Sequence, residues 1–259
     1  MTLTLNFTIL LIGHLLGDFY FQTQKISDGK RKKQTTMILH GALYLLAVFA
    51  VLSASFHISK EMFFLGGFVS AGHFIFDMGK KYVIVQNRSN KKIVLWVKAK
   101  AFWIDQILHI ATLIAGWWLW GNQLAAYAYI HKEYAAFPMH PLLIVLGLLL
   151  ILRPAAIIIG EDHIWDFKGK LAAEGTSERD DENDSVKNAG KMIGYLERII
   201  IFIFMILHQY TAIGFVLTAK SIARYEGIVK KRLTAEYYLI GTLLSAVFAI
   251  AVAFLLELC

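Results

Sequence analysis

The sequence predicts an all-α protein, a polytopic transmembrane helical bundle of about seven membrane segments, one of them open to a re-entrant reading. Three observations carry this. Hydrophobic residues make up 57% of the 259 positions and mean hydropathy is +0.55, whereas an ordinary soluble domain is about 45–50% apolar even with glycine included. Apolar runs near the ~20 residues needed to cross a bilayer recur at 2–21, 36–56, 61–79, 98–121, 141–160, 192–220 and 236–257. The Lys and Arg residues behind the +7 net charge fall in short runs between those segments. That placement marks membrane topology and contact with anionic lipid headgroups, and argues against a nucleic-acid partner.

The first segment has no basic leader and no small-residue cleavage site, so it is expected to be a retained span and not a signal peptide. It carries His14-Leu-Leu-Gly-Asp18-Phe-Tyr-Phe-Gln22. On an α-helix this spacing puts His14 and Asp18 on one face, roughly 6 Å apart, with Gln22 close to the same line. The strongly basic connection Lys25 to Lys33 follows, and the second segment brings His40 near its start. The third ends in His73-Phe-Ile-Phe-Asp77 before Lys80 and Lys81, and the connection Lys80 to Lys98 is again basic. The fourth runs the spacing in reverse, Asp105-Gln-Ile-Leu-His109, and ends in Trp117, Trp118 and Trp120. By the positive-inside rule the first and third connections are cytoplasmic, the N-terminus is outside, and the tryptophans belt the outer interface. Four imidazoles and three carboxylates are thereby expected in one layer near the cytoplasmic headgroups.

In the fifth segment Arg153-Pro154 predicts a kink or break with a buried or snorkelling guanidinium. Residues 166–191 are rich in Asp, Glu, Lys, Ser and Asn and read as a flexible cytoplasmic linker. The linker separates an N-terminal bundle (1–165) from a C-terminal hairpin or re-entrant unit (192–259). In that unit Glu197-Arg198 reads as a structural ion pair or a headgroup contact. Simple alternation would leave Lys220 to Arg232, with five Lys and Arg, outside the cell. Either segment 192–220 is a re-entrant pair broken near His208 to Gly214, or it is one long tilted helix. A single cysteine, Cys259, excludes an intrachain disulfide and a thiolate metal cage.

Ionisable groups inside apolar segments are functional-site hypotheses by default. Any one His/Asp pair is equally well read as hydrogen-bonded glue between helices. Three pairs plus His40 at one depth favour a metal or proton site. His14, Asp18, His73, Asp77, Asp105 and His109 form a ligand set suited to zinc, manganese, iron or nickel and large enough for two ions. His40 is a ligand or a general base, Lys80 and Lys81 read first as topology determinants although their placement lets one of them, Lys80, grip a phosphate, and Gln22 and Gln106 are hydrogen-bonding residues behind the ligands. There is no His-Glu-x-x-His helix, Gly-x-Ser-x-Gly elbow, Walker A loop or dinucleotide fingerprint. The expected function is an inner-membrane metalloprotein that activates water against an amphiphilic or lipid-linked substrate. Alternatives are a divalent-metal or proton transporter using the same residues and a non-catalytic membrane scaffold, with membrane lipids as partners in every case.

The run His14 to Lys25, His40, His73-Phe-Ile-Phe-Asp77 with Lys80 and Lys81, and Asp105-Gln-Ile-Leu-His109 together resemble the DUF3307 family of bacterial integral membrane proteins, over roughly residues 5–120. The segments Gly194 to Arg198 and Ala212 to Arg224 resemble a tail often appended to that domain. The resemblance implies a bacterial inner-membrane protein and groups the His, Asp and Gln positions into one constellation. The family name records an unknown function, so it supplies no reaction.

Overall fold

The computed structural model describes residues 2–86, 91–131, 139–160, 183–223 and 232–258. Among them every regular element is helical, apart from one isolated antiparallel bridge between Phe56 and Ala126. The chain divides into two compact units, Met1–Tyr134 and Ala135–Cys259.

In the first unit, α1 (Thr2–Leu15) runs into a π-helical turn, Leu16–Tyr20, followed by the short basic helix α2 (Gln24–Lys32). The long helices α3 (Gln34–Ser55), α4 (Lys60–Gln86) and α5 (Lys91–Trp120) complete it. Thr23 caps α2 by accepting the Ile26 amide on its hydroxyl, which fixes where the chain turns after the first apolar segment. Helix α1 packs on α3, α3 on α4, α4 on α5, and α5 returns to α1, so four helices close around one core. At one end that core is sealed by apolar side chains that are almost fully buried, among them Ile9, Leu10, Leu52, Leu65 and Leu113. The same end is tied by the His57 amide on the Ala125 carbonyl at 2.9 Å and the Tyr127 amide on the Ser55 carbonyl at 3.0 Å. Of the three tryptophans expected at the interface, Trp117 is buried against Phe7 while Trp118 is 75% exposed.

In the second unit, α6 (Pro141–Ile151) starts with proline in its first turn and the His140 ring accepting the Leu142 amide, a pairing that suits a helix start. The expected break falls at Leu152, after which α7 (Arg153–Gly160) continues. The guanidinium buried at the break is not that of Arg153. It belongs to Arg198, which donates to the Ile151 carbonyl and to Ser245 Oγ at 3.1 Å. Helix α8 (Asn183–Ile206) is followed by α9 (Tyr210–Ala223) and α10 (Arg232–Glu257). Between α8 and α9 the Gln209 amide bonds the Phe204 carbonyl and the His208 amide the Met205 carbonyl, with His208 at φ 55°. This is a Schellman C-cap with histidine in the left-handed position that glycine usually takes. Lys220 then pairs with Glu197, so α9 folds back along α8; in one straight helix these residues would stand about 35 Å apart.

Among the described residues five helices are long and apolar enough to cross a membrane: Gln34–Ser55, Lys60–Val83, Phe102–Gln123, Pro141–Ile159 and Leu239–Glu257. Of the about seven segments expected, the first and the sixth are represented by the shorter apolar helices Leu5–Tyr20 and Tyr210–Ile222. The first apolar helix, Leu5–Tyr20, is shorter because the π turn and the residues after it end the run, and segment 192–220 is divided by the Schellman cap. Residues 166–182 of the expected linker lie outside the described residues, and 183–191 form the start of α8.

Candidate metal centre

Each long helix of the first unit contributes one imidazole to the interior: His14 from α1, His40 from α3, His73 from α4 and His109 from α5, all at most 2% exposed. Three buried carboxylates accompany them, Asp18, Asp77 and Asp105. The helices alternate in direction, so pairs near the end of α1 and α4 meet pairs that follow the start of α3 and α5. The layer expected from the spacing is therefore present.

His40 Nε2 is the hub. It lies 3.1 Å from His73 Nε2, 3.2 Å from Asp77 Oδ2 and 3.6 Å from Asp18 Oδ1. His73 Nε2 is in turn 3.9 Å from Asp18 Oδ1 and 3.8 Å from Asp77 Oδ2. Donor atoms sharing one ion with bonds of about 2.0–2.2 Å sit roughly 3.0–3.5 Å apart; the donor atoms of Asp18, His40 and His73 all lie within 4.8 Å of one another, close to the spacing that a single ion requires. Asp77, Asp105 and His109 form an adjoining group whose donor atoms all lie within 4.8 Å of one another. Within it His109 Nε2 is 3.6 Å from Asp105 Oδ1.

His14 stands apart from its expected partner. Its Nδ1 is hydrogen-bonded to the Tyr44 hydroxyl at 3.0 Å, while Asp18 turns to His40 and His73. The cause is local: Asp18 lies in the π turn, closed by the Phe21 amide on the Leu16 carbonyl at 2.8 Å. The wider turn rotates Asp18 off the i, i+4 line that an α-helix would impose. The turn also presses on α3 at Tyr44, where a Cβ on Gly17 would meet Tyr44 Cδ2 at 2.7 Å and its Cα at 3.1 Å. Tyr44 stacks flat on His73, with ring centroids 3.8 Å apart and planes at 3°.

A rim of polar side chains holds the carboxylates. Gln106 Nε2 donates to Asp18 Oδ2 at 2.9 Å, as expected of a residue behind a ligand. Gln22 reaches the cluster indirectly, by accepting Lys30 Nζ at 2.8 Å. Lys30 donates to both Asp77 oxygens, at 3.0 and 3.3 Å, and Lys80 donates to Asp105 Oδ2 at 2.9 Å. Lys30 and Tyr44 are the residues the sequence did not reveal. Tyr44 follows His40 by one helical turn, which is a usable signal; Lys30 is hidden inside a run of Lys and Arg that topology alone accounts for. Counting the imidazoles as neutral, three carboxylates face two ammonium groups, and the one negative charge left over is balanced either by a proton on His40, which lies between Asp18 and Asp77, or by a bound cation. His14 Nε2 and both nitrogens of His109 have no hydrogen-bond partner among the described residues, and in His40 and His73 it is Nδ1, the ring nitrogen turned away from the convergence at Nε2, that has none; His109 is thus the histidine whose nitrogens leave room for a bound species.

Fold and site together define an all-helical protein with membrane-type apolar helices around a buried His/Asp cluster able to hold a metal ion. The model of a family described as a protein of unknown function (DUF3307) matches residues 6–137, half of the chain, and the chain belongs to that family. The match contains every residue of the cluster. No curated protein and no solved structure matches the chain.

Proposed function

We propose that this is an inner-membrane metalloprotein whose ion sits among Asp18, His40, His73 and Asp77 near the cytoplasmic leaflet and activates water against an amphiphilic, lipid-linked substrate. The observation that carries the reading is the convergence of Asp18, His73 and Asp77 on His40 Nε2 at 3.6, 3.1 and 3.2 Å in the buried interior of the first unit. In this arrangement His40 serves as a ligand, and Asp77 also belongs, with Asp105 and His109, to a second group of donors for an ion. Zinc, manganese, iron and nickel all suit the N/O set. An ion held by these residues would supply Lewis acidity and a water made acidic enough to serve as a nucleophile near neutral pH towards an ester or phosphoryl centre.

Access supports hydrolysis over passage through the membrane. Gln22, Lys30, Lys80 and Gln106 are partly exposed at the end carrying the basic helix α2, whereas apolar side chains fill the opposite end. Transport of a divalent cation or of protons is the second reading, and two buried oxygens beyond the cluster, Asn6 Oδ1 and Ser70 Oγ, which have no hydrogen-bond partner among the described residues, favour it. Elemental analysis of the detergent-purified full chain separates these from a scaffold. Stoichiometric transition metal is expected in the wild type, and its loss in the Asp18→Ala/Asp77→Ala double variant. A well-folded wild type that retains no metal after loading and washing rejects the metalloprotein reading.

In the second unit, the apolar part of α8 after Lys191 and the 14 residues of α9 are each about 22 Å long at most, against a hydrocarbon core of about 30 Å. We read this hairpin as re-entrant, which returns the basic stretch Lys220 to Arg232 to the cytoplasmic side in accord with the charge rule.

A further inference from the structure

Lys30 and Lys80 are ion-paired where a metal would bind, and that overlap is informative. The two ammonium groups come from different elements, α2 and α4, and reach Asp77 and Asp105, which share one group of candidate ligands with His109. The lysine side chains are 14% and 26% exposed, while the carboxylates they hold are 3% and 9% exposed. The lysines can therefore swing towards the rim; the carboxylates cannot. Resting on the metal reading above, we propose that Lys30 and Lys80 form a metal-gated clamp for a phosphoryl group: they neutralise Asp77 and Asp105 before a cation arrives, and turn to a phosphate once an ion in the group of Asp77, Asp105 and His109 takes those carboxylates.

Charge decides the gating. Three carboxylates and two ammonium groups leave the cluster with one negative charge, which repels an anion. A divalent ion reverses that to one positive charge and releases both ammonium groups from exclusive pairing. Three cationic centres then face the rim, and a phosphomonoester matches them with three strong acceptor oxygens and a charge of about −1.5 to −2 at neutral pH. A carboxylate, with two oxygens and one charge, would leave one ammonium unmatched. Lysine suits the task because its ammonium is a compact point charge on a flexible stem, able to change partner without the fixed fork of arginine.

The test uses the detergent-purified full chain, with Mn²⁺ loading followed by elemental analysis and anion binding followed by equilibrium dialysis of radiolabelled inorganic phosphate and of dihexanoyl phosphatidic acid. Mn²⁺-loaded wild type is expected to bind phosphate at least tenfold more tightly than the metal-free protein. The Lys30→Met/Lys80→Met variant is expected to keep its Mn²⁺ and to lose at least tenfold in phosphate affinity. Lys30→Gln and Lys80→Gln each keep a hydrogen-bond donor to their carboxylate and are expected to lose at least threefold, which covers a double variant that does not fold. Lys81→Met is the control expected to change nothing. Tighter binding of the phosphatidic acid than of phosphate identifies a lipid headgroup as the source, and equal binding identifies free phosphate. Stoichiometric Mn²⁺ with no phosphate binding, or with binding indifferent to both lysines or to the metal, overturns the clamp and leaves the metalloprotein reading standing. Absence of bound metal overturns both.

Discussion

Asp18 concentrates the physics of the cluster. Among the described residues no lysine or arginine lies within ion-pair distance of it, in contrast to Asp77 with Lys30 and Asp105 with Lys80. Its carboxylate is oriented instead by Gln106 from α5. Partners of this kind fix a ligand's direction, and removing one typically weakens metal affinity about 10–100-fold. Gln106→Leu should therefore lower Mn²⁺ affinity by about tenfold or more in a competition titration, with unfolding temperature little changed. Unaltered affinity in that variant would remove Asp18 from the ligand set. Gly17 tests packing at the same place. Adding a methyl group against Tyr44 should destabilise the protein by about 1–3 kcal/mol, read as a lower thermal midpoint in detergent, and should weaken metal binding because Tyr44 supports both His14 and His73.

At the level of elements, the second unit depends on two helix ends finding partners. The break at Leu152 disrupts the regular helical ladder around the Ile151 carbonyl, and the buried Arg198 caps that carbonyl from α8 while holding Ser245 of α10. Arg198→Met keeps much of the volume but leaves those acceptors unmet, and a lost hydrogen bond to a charged group is worth about 1.5–3 kcal/mol. Arg198→Lys should rescue only part of it, since one ammonium cannot reproduce the two-directional donation of a guanidinium. The Schellman cap gives the sharper contrast. His208 sits at φ 55°, so His208→Gly should be neutral or mildly stabilising, whereas His208→Val should destabilise by about 1–2 kcal/mol, the left-handed penalty for an L-residue. Equal thermal midpoints for the Gly and Val variants would show that this backbone conformation is not what turns the chain.

On the scale of the whole chain, the charge rule makes a topological prediction. In a Cys259→Ser background, single cysteines at Ser27 in α2 and Ser221 in α9 should react with a membrane-impermeant thiol reagent from the cytoplasmic side. A cysteine at Ser59, between α3 and α4, should react from the opposite side. Labelling of Ser221 from the side of Ser59 would mean that α8 and α9 do not form a re-entrant hairpin.

Much of this was legible beforehand. The apolar runs gave the helices of the first unit, and the positions of the His and Asp residues along them gave the common level at which His14, His40, His73, His109 and their carboxylates meet. Arg153-Pro154 located the break in the fifth segment, and the polar centre at His208 located the turn in the sixth. These are local properties: run length, rise per residue and the backbone chemistry of proline are set by neighbours in the chain. What only the tertiary structure decided is which groups touch. That His40 is the hub, that Asp18 turns away from His14, that Lys30 enters from a basic connection and that Arg198 reaches Ile151 all depend on how each helix is rotated about its axis. In a soluble helix the polar face reports that rotation; membrane-type helices are apolar nearly all round, so the pattern carries almost no rotational information. The π turn at Leu16–Tyr20 adds a shift in register that spacing alone cannot convey, and the contacts across helices follow from packing.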